Sequence, residues 1–177
     1  MNYSDIKHKF NAVNGFMGSE SQREFMFNLA KVTNVAAEIG SWKGLSACIV
    51  LAGMSDTNRA LQPKYYCIDT FESSNAELNS EPTLDEFTRA VREFDPQDRH
   101  YHILKGFSSD AHVLKQIPDE TLEWIYVDGS HETEDVFNDI VLYHPKITHN
   151  GLYLFHDFTW ETVRAAVDRA EIGRAHV

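Results

Sequence analysis

Leu122–Phe158 reads LEWIYVDGSHETEDVFNDIVLYHPKITHNGLYLFHDF, and its two apolar runs decide the fold. Trp124–Val127 and Leu152–Phe155 are short, aromatic and β-branched, as buried strands are, and each ends at an aspartate, Asp128 and Asp157. A helix is expected between them at Glu132–Tyr143, with Asn150-Gly151 turning the chain into the second strand. If the strands are parallel neighbours, both carboxylates and the adjacent His131 and His156 emerge at one sheet edge. In open α/β sheets that carboxyl edge is where ligands sit.

Upstream, strand and helix alternate. Val35–Ile39 reads as a first strand, followed by the turn Gly40-Ser41-Trp42-Lys43-Gly44 and a helix through about Met54. Such a turn offers backbone N–H groups and a helix dipole to a polar ligand, although glycines there can also serve packing alone. Tyr65–Ile68 is the second strand and ends at Asp69, 29 residues after Gly40. A nicotinamide fold usually places its acid roughly 20 residues on. A carboxylate at that tip can accept both hydroxyls of a ribose; the alternative is a cap for the next segment. A helix at about Pro82–Phe94, a third strand at Tyr101–Leu104 and a helix at Ser109–Lys115 follow, and the long connection Thr70–Glu81 is a candidate lid. Ser19 and Gln22 form a capping box for a helix whose Phe25, Leu29 and Val32 share one face. Thr159–Ala170 reads as a last helix. The alternation predicts an α/β domain: a doubly wound, mainly parallel sheet with helices on both faces.

Residues 1–18 are polar, carry no strong period and read as a lead-in to a single domain over residues 19–170. The tail Glu171–Val177, EIGRAHV, is what a widely used sequencing adapter encodes when read as codons. It is expected to be read-through, with later strands missing; the alternative is a native helix end with Gly173 at C′.

With 16 Lys and Arg against 27 Asp and Glu, the net charge is −11, which disfavours nucleic acid and anionic membrane surfaces as partners. A small-molecule substrate is the simpler expectation, and oligomeric state is not readable. The two cysteines, Cys48 and Cys67, sit in apolar runs without CxxC spacing, as buried thiols of a reducing compartment do. With no signal-like or membrane-spanning run, the expected location is the cytoplasm.

The pattern VAAEIGSWKGLSA, YYCIDTF, WIYVDGSHETEDVFNDI and NGLYLFHDF resembles the class I S-adenosylmethionine-dependent methyltransferases. More narrowly it is similar to small O-methyltransferases related to the macrocin-type sugar enzymes. The resemblance implies a Rossmann-like fold, S-adenosylmethionine as cofactor and a hydroxyl of a small molecule, such as a sugar, as acceptor. Glu38, Gly40, Ser41 and Gly44 would line the methionine and ribose end of the cofactor. Asp69 would hold the ribose hydroxyls, and Ser108, with Asp110, would approach the adenine. Asp128 and Asp157 match carboxylates that hold a divalent metal such as Mg²⁺ in metal-dependent members, and His131 matches the proposed general base. In place of an acidic pair at the end of strand five stands His156-Asp157, and imidazole suits Mg²⁺ poorly.

The chemistry has its own logic. Methyl transfer from a sulfonium is an in-line displacement, and an alcohol needs a base or a cation to become a competent nucleophile. His131 can supply the first; Asp128, Asp157 and His156 can assemble the second. Structural alternatives stay open: His131 as a helix N-terminal residue, Asp128 and Asp157 as helix caps. Two other functions also stay open. One is a nicotinamide-dependent oxidoreductase, although GSWKG lacks the G-x-G-x-x-G register; the other is a non-catalytic partner module that keeps the fold.

Overall fold

The computed structural model describes residues 1–15, 17–55, 62–72 and 83–174, with side chains to residue 171. Of the candidate lid Thr70–Glu81, residues 73–81 lie outside the described residues, as do Pro82 and the end of the tail, 175–177.

Five strands form one sheet: β1 Val35–Ile39, β2 Lys64–Asp69, β3 Tyr101–Lys105, β4 Leu122–Val127 and β5 Ile147–Phe155. Every pairing is parallel and the order is β3-β2-β1-β4-β5. The chain therefore reverses its direction of winding between β1 and β4, the crevice where such sheets bind ligands. Period-two alternation sorts the strands' side chains. Ala36, Tyr65, Cys67, Trp124 and Tyr126 pack on one face with helices α1 Tyr3–Phe10, α2 Glu20–Ala30, α3 Leu45–Ser55 and α4 Leu84–Arg92. Ala37, Tyr66, Ile68, Ile125 and Val127 pack on the other with α5 Ala111–Leu114 and α6 Thr133–Tyr143. Helix α7, Glu161–Arg174, lies against α6, with Val163 and Ala166 meeting Val136 and Ile140. The doubly wound parallel sheet expected from the sequence is the observed one.

Four local expectations change. The lead-in contains α1, whose Tyr3, Ile6 and Phe10 are buried in the main core. Their i, i+3, i+7 spacing is a helical stripe, confined to two turns. In α2 the capping box forms as expected, with Ser19 and Gln22 bonding reciprocally. The buried face, however, is Met26, Phe27 and Ala30; Phe25 and Val32 are exposed. This helix is apolar on more than one side, and its rotation is set by close packing on Gly53 of α3, where a Cβ would lie 2.4 Å from the Phe27 carbonyl. Asn150-Gly151 lies inside β5, which starts at Ile147 after a 3-10 turn at His144–Lys146. The register shifts between Leu122↔Ile147 and Trp124↔Leu152, so the extra residues bulge and the apolar half of the strand pairs as expected. Finally, α7 runs from Glu161 to Arg174, displaced from the Thr159 start, while α4 spans Leu84–Arg92 and its expected start at Pro82 lies outside the described residues.

Candidate functional site

The sheet register builds the site. Ile39 pairs with Ile68 and with Val127, and Val127 pairs with Phe155, so one step further Asp69, Gly40, Asp128 and His156 form a row across four strands. Three backbone bonds continue the ladder to this row: Gly40 N–H to the Ile68 carbonyl, Asp128 N–H to Ile39 and His156 N–H to Val127. Gly40 has φ +91°, and a Cβ there would lie 2.1 Å from the Asp128 carbonyl oxygen, so its place is dictated by both conformation and close approach.

Beside the row, Asp128, His131, His156 and Asp157 converge, with one ligand atom from each within 4.8 Å of every other. His156 Nδ1 is 3.0 Å from Asp128 Oδ1 and 2.9 Å from Asp157 Oδ2; His131 Nε2 is 3.0 Å from the same Asp157 oxygen. Asp157 takes φ +49°, a conformation aspartate tolerates. Neither aspartate caps a helix with its side chain. The N-cap of α6 is Glu132, and both carboxylates face imidazoles. His131 sits in the loop between β4 and α6, which Ser130 pins by donating to Asp135 and accepting from the Glu132 N–H. Its Nε2 is buried and, despite the short contact to Asp157, is not aligned for a hydrogen bond. The imidazole stacks on Trp160, ring centroids 4.7 Å apart.

Burial raises the Asp128 carboxyl above the usual carboxylate range, and the Asp128 hydrogen bond raises His156 above the ordinary imidazole value. The donor set is two carboxylates and two imidazoles, compatible with a divalent transition ion and less so with Mg²⁺.

On the β1 side of the row, Glu38 is fully buried. Its Oε2 accepts from Ser46 and Tyr65 at 2.7 and 2.9 Å, while Oε1 and the Ser41 hydroxyl have no hydrogen-bond partner among the described residues. Burial pushes the Glu38 carboxyl up to about 7 against the pull of the surrounding hydroxyls. Gly44, at φ +90°, closes the turn against Phe87. Asp69 accepts from the Trp42 N–H at 2.8 Å and the Phe71 N–H at 2.6 Å, so it braces both loops that flank the crevice. A carboxylate has about four acceptor positions, which leaves capacity for a ribose.

Ser108 stands apart from the His/Asp cluster. Its hydroxyl donates to Asp139 Oδ1 at 2.5 Å, and its carbonyl accepts from the Tyr143 hydroxyl, so this loop is tied to α6. Burial pushes the Asp139 carboxyl up to about 6. Asp110 folds back on its own loop, accepting from the Phe107 N–H.

Several residues at the site carried no signal in the sequence. Tyr65 and Asp139 act across long separations, and Ser46 reaches back to Glu38 from the first turn of α3. A cleft of about 310 Å³ opens beside His156 and Tyr126, between the end of β5 and the start of α2, with Met17, Phe25, Leu154 and Phe158 in its walls. The exposed Phe25 of α2 is spent on this cleft, which explains why an apolar residue faces away from the core.

A family model described as a methyltransferase domain matches residues 37–158, from β1 through the His/Asp cluster. No curated protein matches the sequence significantly. Among solved structures, the apo form of CalS11, a TDP-rhamnose 3'-O-methyltransferase of calicheamicin biosynthesis, aligns over 94% of this chain and 84% of its own at 13% identity, TM-score 0.67. The O-methyltransferase NovP aligns over 86% and 72% at 21% identity, TM-score 0.65. An O-methyltransferase from Bacillus cereus in complex with SAH aligns over 97% and 78% at 15% identity, TM-score 0.64. At these identities the structural likeness is one of fold.

Proposed function

This chain belongs to the methyltransferase domain family, and on that footing we propose that it transfers the methyl group of S-adenosylmethionine to a hydroxyl of a small molecule. The observation that carries the reading is the row Asp69, Gly40, Asp128 and His156 along one sheet edge, with His131 and Asp157 beside it. The two ends of that row suit two different jobs. Asp69 and the Gly40–Gly44 turn bind the ribose and methionine end of the cofactor, with the unpartnered Glu38 Oε1 and Ser41 hydroxyl offered to its polar groups. Ser108 reaches the adenine end.

His131 is the base. As the acceptor oxygen attacks the methyl carbon, the C–O bond forms, the S–CH₃ bond breaks and S-adenosylhomocysteine leaves; the hydroxyl proton passes to the His131 imidazole. The Asp157 carboxylate, 3.0 Å away, stabilises the imidazolium that results. Asp128, Asp157 and His156 form the set that would hold a divalent ion, and an ion there lowers the pKa of a bound hydroxyl. Imidazole among the donors makes Mn²⁺ or Zn²⁺ a better fit than Mg²⁺. This reading supersedes the nicotinamide alternative, because the family match spans the β1 turn on which that alternative depended.

No helix among the described residues is long and apolar enough to cross a membrane. Cys48 and Cys67 are free and buried, and we place the enzyme in the cytoplasm on that ground. Transfer of labelled methyl from S-adenosylmethionine to a panel of hydroxyl compounds tests the activity. Transfer that His131→Gln abolishes is the expected result; equal transfer by the variant overturns the assignment of the base.

A further inference from the structure

We propose that Asp139 is a positioning residue for the cofactor: through the Ser108 hydroxyl it fixes the loop after β3 that receives the adenine of S-adenosylmethionine. The inference rests on the methyl-transfer reading and deepens it, because it assigns a role at the adenine end to a helix residue that acts through Ser108.

The row of strand ends extends beyond Asp69. Asp69 pairs with Lys105, and the next residue, Gly106, donates its N–H to the Asp69 carbonyl at 2.9 Å. Across the sheet edge the order is therefore Gly106, Asp69, Gly40, Asp128 and His156. A cofactor whose ribose lies at Asp69 and whose methyl points toward the His/Asp cluster has one direction left for its base, the loop that opens at Gly106.

That loop is held from outside the sheet. Ser108 donates to Asp139 Oδ1 at 2.5 Å, and its carbonyl accepts from the Tyr143 hydroxyl at 3.0 Å. Both partners belong to α6, whose Asp135, in the first turn, accepts from Ser130 and so braces the loop of His131. One helix thus anchors the β3 loop and the loop of the proposed base.

Asp139 is a costly anchor. Val136, Ile140 and Tyr143 of the same helix are buried, and Asp139 is buried with them at 5% exposure. Among the described residues its carboxylate has the Ser108 hydroxyl as donor and no cation, while the Asp135 charge adds to the effect of burial. Burying a carboxylate without a cation destabilises a fold, and an apolar side chain here would serve the core better. It would not hold Ser108. A group that lowers stability while fixing one loop of a site is a mark of function over packing.

Calorimetry with S-adenosylhomocysteine on the full chain, paired with thermal unfolding at pH 7.5, tests this. Asp139→Leu, which removes the acceptor and suits a helix, should weaken S-adenosylhomocysteine about tenfold, the scale of one hydrogen bond to a charged group, with a midpoint no lower than that of the wild type. Asp139→Asn, which keeps the acceptor, should bind within about twofold of the wild type. Ser108→Ala removes the other half of the contact without touching the core. It should match the loss in Asp139→Leu, and the double variant should lose no more than either alone. Undiminished binding by Asp139→Leu or by Ser108→Ala, or additive losses in the double variant, overturns the proposal. So does an affinity loss in Asp139→Leu that comes with a lower midpoint and has no counterpart in Ser108→Ala, the signature of a merely structural residue. Wild-type protein that takes no S-adenosylhomocysteine defeats the methyl-transfer reading itself, whereas wild-type binding with indifferent variants defeats only the role of Asp139.

Discussion

In the proposed mechanism two histidines divide the work, and they differ in what surrounds them. His131 is half exposed, packed at a tilt against Trp160 and close to Asp157, and its buried Nε2 lacks an aligned partner among the described residues. His131→Gln is therefore expected to lower turnover by roughly 10²–10⁴-fold, the usual worth of a general base, without changing affinity for S-adenosylhomocysteine. Parallel turnover and calorimetric measurements check this, and a matching loss of cofactor affinity would make His131 a structural residue. His156 is more enclosed and lies between two carboxylates. Competition calorimetry should find Mn²⁺ or Zn²⁺ bound in preference to Mg²⁺, and His156→Asp should shift that preference toward Mg²⁺. A wild-type protein that prefers Mg²⁺ contradicts the donor argument. Asp128, Asp157, His131 and His156 were all legible in the sequence, because each follows directly from a strand end. The partners of Glu38 were not, since Tyr65 lies 27 residues away and meets it only through the β1–β2 pairing.

At the scale of elements, the β1–β4 junction is the most constrained point of the site. Gly40→Ala must place a Cβ against the Asp128 carbonyl at a φ that disfavours side chains. A loss of roughly 2–4 kcal/mol is expected, read as a shift in denaturant midpoint, with unchanged stability as the contrary result. Helix α6 carries a different constraint. Asp139 ties the Ser108 loop to the helix but is buried with its carboxyl near 6. Because that folded value lies above the unfolded one, Asp139 costs stability once ionised. The cost is absent below about pH 4, grows between 4 and 6 and is constant above. Asp139→Asn, which keeps an acceptor for Ser108, should stabilise the protein at pH 7.5 by about 1–2 kcal/mol and do nothing at pH 4. Alternation of apolar runs and turn residues made the strands and the long α3 and α6 legible. It failed where an element's orientation depends on a neighbour: α2 is apolar on several sides, and only the close approach at Gly53 selects the face it buries. The bulge in β5 was hidden for the same reason, because the register of one strand is written partly in the next.

For the whole molecule, burial pushes the Glu38 and Asp139 carboxyls up to about 7 and about 6, and the net charge is strongly negative. Stability should accordingly rise as the pH falls from 7.5 toward 5, and a thermal-unfolding series that falls over this range contradicts these assignments. Parallel pairing in the order β3-β2-β1-β4-β5 places Asp69, the proposed cofactor acid, and the His/Asp cluster at opposite ends of one row, separated by the glycine that lets the strands approach. On the proposed reading, that separation lets one edge bind a cofactor and act on a second molecule. The direct test is calorimetric titration of the purified chain with S-adenosylhomocysteine. Binding that Asp69→Ala weakens by at least tenfold, with NAD bound far more weakly, is the predicted result; absence of S-adenosylhomocysteine binding, or tighter binding of NAD, would contradict it.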